Sequence, residues 1–175
     1  MYAGVGSIEQ VFWLDSYAWT FLILRTPEVY RKLKKEVSTA WLQLDQPPKL
    51  ADLEKLLYLN AVIKESLCAG GGTTSPLSRV VPQGGATIWG CFVPGGTVVG
   101  FSSHFVHHAV DAFEQADKFI PERWLNGDSA GNEKFFVPFG RGLRRFAWVI
   151  LRTCVAHVFR KFDLEIDPSS PLELN

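Results

Sequence analysis

The chain has 175 residues, 47% of them hydrophobic, which is enough for one domain with a buried core. Lysine plus arginine equals aspartate plus glutamate at 18 each, so no global charge argues for a nucleic-acid partner. The three cysteines, Cys68, Cys91 and Cys154, are scattered without C-x-x-C spacing, which suggests neither a disulfide framework nor a zinc site and fits a reducing, intracellular setting.

Ile8 to Leu24 is apolar on nearly every face, as expected of a helix buried inside a larger protein. Within it, Val11 to Leu24 is interrupted by Asp15 and falls short of the roughly 20 residues that span a bilayer, so no membrane anchor is expected and the location reads as cytoplasmic. Thr26 as N-cap and Pro27 at the first helical position predict an amphipathic helix over Glu28 to Leu44, with Val29, Leu33 and Val37 on its buried stripe. Lys32, Lys34, Lys35 and Glu36 form its solvated face. Pro47-Pro48 closes that unit, and Leu56, Leu59, Ile63 and Leu67 predict the next helix over Leu53 to Leu67. From Arg79 to Val99 the texture turns to short β-like runs with turns at Gly84-Gly85 and Pro94-Gly95-Gly96. A short helix near His104 to Glu114, a meander through Phe119 to Trp124 and a polar loop from Asn126 to Asn132 follow. Leu151, Val155, Val158, Phe159 and Phe162 mark a last helix. The fold class is therefore mainly α with a small β region (α+β).

One loop organises the rest. Phe135-Phe136-Val137-Pro138-Phe139-Gly140-Arg141-Gly142-Leu143-Arg144-Arg145-Phe146 combines two glycines, an aromatic-proline lead-in and adjacent arginines ahead of an apolar helix. The glycines let the backbone approach a partner closely, and the arginines offer charge to an anionic group. Such a loop could seat a flat, acid-bearing cofactor, although the spacing alone favours an ordinary glycine turn.

The wording of the loop resembles the haem-binding signature of cytochrome P450, F-x-x-G-x-R-x-C-x-G, at Phe139, Gly142 and Arg144. Other stretches resemble the C-terminal part of a fungal member of that family, in the family's order. They are Leu59 to Leu67 (the K helix, whose E-x-x-R motif would use Glu65), Arg79 to Pro82 with Gly84 to Ile88, the box Pro121-Glu122-Arg123-Trp124, and Phe162 to Glu165. The resemblance implies haem as cofactor, with Arg79 and Arg144 facing its propionates and an axial cysteine thiolate that favours O–O cleavage. It also implies a buried ion group joining Glu65 and Arg123, a hydrophobic small-molecule substrate, a reductase partner and attachment to the endoplasmic reticulum. The activity implied is monooxygenation, in a setting such as fungal secondary metabolism.

Three departures qualify this. The axial cysteine position holds Phe146, and the glycine two residues on is Trp148. The arginine of E-x-x-R is Cys68, which predicts a buried Glu65 carboxylate short of a partner, with an Arg123 pair as the remaining support. The oxygen-handling box would fall near Ser7 to Val11, where Glu9 and Gln10 are followed by no threonine. Cys154, eight positions past Phe146, lies about 12 Å away along a helix and cannot stand in. His104, His107 and His108 are expected to be surface residues. The expectation is one partial domain over residues 1–175: a truncated, degenerate relative that is catalytically inactive as written. The alternatives are a non-catalytic binding or scaffolding remnant, with exposed apolar surface around Phe12 to Leu24, and a mispredicted gene product.

Overall fold

The computed structural model describes residues 18–70, 76, 78–109, 111–126, 129–139 and 145–169. Its helices are α1 (18–25), α2 (Pro27–Ala40), α3 (Leu50–Leu53), α4 (Leu57–Ala69), α5 (Ser103–His107), α6 (Ser129–Phe135) and α7 (Arg145–Lys161), with a 3-10 turn at Pro121–Trp124. Four short strands, β1 (Arg79–Val80), β2 (Ala86–Ile88), β3 (Cys91–Val93) and β4 (Val98–Val99), form two antiparallel pairs. The α+β class holds.

Helix α4 is the centre. One of its faces, with Leu59, Val62, Ile63 and Leu67, packs into a core shared with Val29, Leu33 and Val37 of α2 and Leu151, Val155, Ala156 and Phe159 of α7. Each buried valine, leucine, isoleucine or phenylalanine side chain there stabilises the fold by about 1.5–3 kcal/mol relative to exposure. The other face presents Ala61, Glu65 and Cys68 towards Phe113 and Trp124. Burial on both faces explains why so many α4 positions are apolar.

The stripe expected on α2 is the one observed, but α2 stops at Ala40 rather than Leu44. Pro27 occupies the first turn as expected, whereas Thr26 does not cap: its hydroxyl donates back to the Leu22 carbonyl at 3.2 Å. Glu36, expected on the solvated face, reaches α4 and accepts the backbone N–H groups of Tyr58 and Leu59 at 2.9 and 2.8 Å. The residue preceding α4 is Leu56, which has no side-chain oxygen to offer, so a carboxylate from another helix does the capping. The predicted helix from Leu53 to Leu67 is two pieces, α3 and α4, separated by a turn at 54–56.

In the β region β2 and β3 pair Ala86 with Val93, Thr87 with Phe92 and Ile88 with Cys91. That register leaves Trp89 and Gly90 as a two-residue hairpin loop, both at positive φ (52° and 78°), as a type I′ turn requires. The sequence pointed instead to the flanking glycines, because tryptophan is a poor signal for a left-handed position. The polar loop expected over 126–132 contains the start of α6.

The described part of the stretch expected to expose apolar surface has buried side chains instead. Of the stretch from Phe12 to Leu24, residues 18–24 are described, and Trp19, Phe21 and Ile23 are buried. Among the described residues, large apolar groups are exposed on the strands and after them, at Trp89, Phe92, Val98, Phe101 and Phe105, and also at Leu42, Leu57, Phe146 and Phe162.

Candidate functional site

Glu65, on the second face of α4, is 2% exposed. Its Oε1 accepts the Ile120 backbone N–H at 2.8 Å, its Oε2 accepts the Trp124 indole N–H at 2.8 Å, and the Arg123 Nε–H lies between the two oxygens at 3.2 and 3.1 Å. Arg123 is therefore shared between both oxygens through one nitrogen, so the expected pair forms without the bidentate geometry open to arginine. Its terminal nitrogens donate to the carbonyls of Glu114, Gln115 and Lys118, which wraps the segment leading into the 3-10 turn around one guanidinium. Burial pushes the Glu65 carboxyl above its ordinary value; the Ile120 N–H, the Arg123 charge and the indole N–H pull it back without cancelling that rise.

The expectation of a carboxylate short of a partner is thereby corrected. Cys68, one turn beyond Glu65, is buried beside Trp124 and Phe113, and burial with the Glu65 charge pushes its thiol far above the usual range. The donors that serve Glu65 besides Arg123 are an indole and a backbone amide. The tryptophan was visible in the Pro121-Glu122-Arg123-Trp124 box; the amide of Ile120 carries no sequence signal.

An aromatic column connects this group to the glycine loop. Phe136 packs edge-on to Trp124 with ring centres 5.1 Å apart, lies roughly parallel to His107 at 6.1 Å and approaches Trp148 of α7 at 6.2 Å. His107 is not a surface residue: it is 3% exposed, and its Nε2 accepts the Val137 backbone N–H at 3.2 Å. Burial, with His108 and His104 adding repulsion, lowers its pKa to about 4, so the ring is neutral and holds the lead-in of the loop as an acceptor. Trp148 is accommodated in this column, and the Arg152 guanidinium covers its ring at 5.1 Å.

The remaining site candidates are not brought together in the same way. Phe139 is half-buried and packs on the main core. Gly142 and Arg144 lie outside the described residues, as do Glu9 and Gln10. Arg79 is exposed on β1, and its guanidinium donates to the carbonyl of neighbouring Ser78 at 2.9 Å. Phe146 stands in the first turn of α7 and is 72% exposed.

A haem-thiolate centre does not fit the residues present. The Phe146 ring has no lone pair for iron and points into solvent. Cys154 is about two turns further along α7, half-buried, with its thiol held up by burial rather than ionised. Among the described residues no group of three or more His, Cys, Asp or Glu side chains is placed to hold a metal ion. No helix among them is long and apolar enough to cross a membrane.

The sequence matches the family profile described as Cytochrome P450 over residues 16–175. It is 40% identical over 159 residues to the cytochrome P450 monooxygenase flvC of Aspergillus flavus, covering 87% of this chain and 28% of that protein. It is 36% identical over 162 residues to a protein named as the inactive cytochrome P450 monooxygenase cloA of Claviceps fusiformis, covering 87% of this chain and 32% of the relative. The fusicoccadiene C-8 hydroxylase of Alternaria brassicicola is 38% identical over 125 residues, which is 70% of this chain and 24% of that protein. The chain thus spans a third or less of the length of these relatives. With the Glu65–Arg123 group and the phenylalanine-glycine-arginine loop in the expected order, the chain belongs to the cytochrome P450 family.

Proposed function

We propose that the chain is a non-catalytic member of the family, a single partial domain over residues 1–175. The parent activity is haem-dependent monooxygenation of a hydrophobic small molecule, in fungal secondary metabolism, with electrons from a reductase. The observation that carries this reading is Phe146: the position that should supply the thiolate offers an exposed hydrocarbon ring. Without thiolate donation the iron lacks the electron density that favours O–O cleavage. The scaffold around the loop is nonetheless sound, since Glu65 is fully partnered and His107 holds Val137.

The test is titration of the purified chain with haem, followed by reduction under carbon monoxide. The expected result is no thiolate-type band; its appearance overturns the proposal. Phe146→Cys alone should not restore it, because Trp148 still fills the loop-side space where the family has glycine. The exposed apolar groups Trp89, Phe92, Val98, Phe101 and Phe105 favour the second reading, a binding or scaffolding role. A chain that remains monomeric and fails to bind a hydrophobic dye would count against that role.

A further inference from the structure

We infer that His104 and His108 form a two-histidine chelate for a divalent transition ion of the zinc, nickel and copper(II) class. The two residues stand four apart on α5 and its C-terminal cap, the spacing that puts side chains on the same helical face. Their ring centres are 4.0 Å apart with an interplanar angle of 35°. A tetrahedral ion with metal–nitrogen bonds of about 2.0–2.1 Å needs its two ligand nitrogens about 3.3 Å apart. Ring centres at 4.0 Å put the nitrogens of the two rings on that scale of separation.

Each ring is prepared differently. The Nδ1 of His108 lies 3.0 Å from the His104 carbonyl; as a donor there it leaves Nε2 with a free lone pair. A ring N–H donated to a backbone carbonyl is the usual way a metal-ligating histidine is oriented. His104 has a buried Nδ1 with no hydrogen-bond partner. Such an orphaned nitrogen is costly by itself, and coordination would supply the missing contact. Burial and the neighbouring His108 ring both hold the His104 imidazole below its ordinary value.

The other two histidines are engaged elsewhere. His107, three residues on from His104, is buried and accepts from Val137. His157 packs edge-on against Trp41 at 4.6 Å, with its Nδ1 2.8 Å from the Thr153 carbonyl. Because no third protein ligand is placed nearby among the described residues, the remaining coordination positions belong to water. That leaves an open site with nitrogen donors, which suits zinc, nickel and copper(II) and disfavours magnesium and calcium. Coordination there does not depend on whether haem binds.

The experiment is calorimetric titration of the untagged chain with nickel(II) and with zinc(II), and electron paramagnetic resonance with one equivalent of copper(II). The expected result is one site, with a copper spectrum showing two coordinated nitrogens. His104→Gln and His108→Gln should each weaken binding about 100-fold, the order of advantage given by linking two contacts. His157→Gln should bind as the unaltered chain does. Single variants that bind like the parent overturn the assignment, and so does a parent that binds no more tightly than the double variant. Calcium or magnesium binding as tight as zinc binding would overturn it too.

Discussion

Glu65→Ala is the perturbation that the structure weighs most heavily. It removes the acceptor for three buried or half-buried donors: the Ile120 N–H, the Arg123 Nε–H and the Trp124 indole N–H. Arg123 keeps the carbonyls of Glu114, Gln115 and Lys118, so its charge stays in place with no counter-charge. Breaking a buried pair from one side costs about 3–5 kcal/mol, and each stranded neutral donor about 1–3 kcal/mol where water cannot reach it. These costs overlap, and the expected loss is about 4 kcal/mol. Glu65→Gln should lose less, about 2 kcal/mol, because its carbonyl oxygen still accepts while its NH2 group meets another donor. The assay is urea unfolding followed by far-ultraviolet circular dichroism. The sign of the pH effect is a second check. The folded carboxyl is raised above its unfolded value, so its titration favours the fold below the unfolded pKa and that contribution fades as pH rises through the folded one. A Glu65→Ala loss below about 1 kcal/mol, or a parent-minus-variant difference running the opposite way with pH, refutes the reasoning.

His107 works in the other direction. Its folded pKa of about 4 lies below the ordinary 6.5, so its contribution to stability is present above pH 6.5 and is lost as pH falls towards 4. Denaturant midpoints measured across that window should drop by the equivalent of about 2–3 kcal/mol in the parent. His107→Gln, which can still accept from Val137, should flatten the profile; an unchanged slope would mean that another group titrates. Glu36→Ala should cost about 1–2 kcal/mol by uncapping α4, with the protection of the Tyr58 and Leu59 amides from hydrogen exchange falling first. If both amides stay as protected as in the parent, the capping role is wrong.

The parts legible in the sequence are those written in periodicity or in a motif. The stripe Val29, Leu33 and Val37 repeats every four residues and is buried as its spacing implies. Glu65 and Arg123 sit inside recognisable motifs, and their pairing follows. What was missed depends on groups meeting across long stretches of chain. Glu36 looked like a surface carboxylate because nothing near it in sequence reveals that Tyr58 and Leu59 lack a cap. His107 sat between other histidines with nothing local to distinguish it, and its partners Phe136 and Val137 are about 30 residues away. The support of Glu65 by a backbone amide could not be read from side-chain identity at all.

The loss of the thiolate has an explanation that can be tested on nucleic acid. Phe146-Ala147-Trp148-Val149 shares nothing with the family's cysteine-x-glycine, although the match up to Arg144 is close. Moving the reading register restores it. If Phe146 is encoded by TTT, its last base with the first two of the alanine codon gives TGC, a cysteine. The last base of that alanine codon with the first two of tryptophan gives leucine, methionine or valine. The last base of tryptophan with the first two of valine is necessarily GGT, a glycine. Our hypothesis is a frameshift or misplaced splice boundary just before codon 146, with the original frame regained further on. The structure narrows where. Leu151, Val155, Ala156 and Phe159 are buried at helical spacing against α2 and α4, while Arg152 bonds Asn60 and Arg160 bonds the Trp41 carbonyl. A shifted frame has no reason to produce apolar residues at the core positions and arginines at the edges. Phe146, by contrast, is exposed, as a residue with no evolved place in the fold would be. The second boundary should therefore lie before codon 151. Sequencing genome and transcript across codons 140 to 165 decides it: a TTC codon at 146, or an early stop in the shifted frame, would show that the cysteine was lost by substitution.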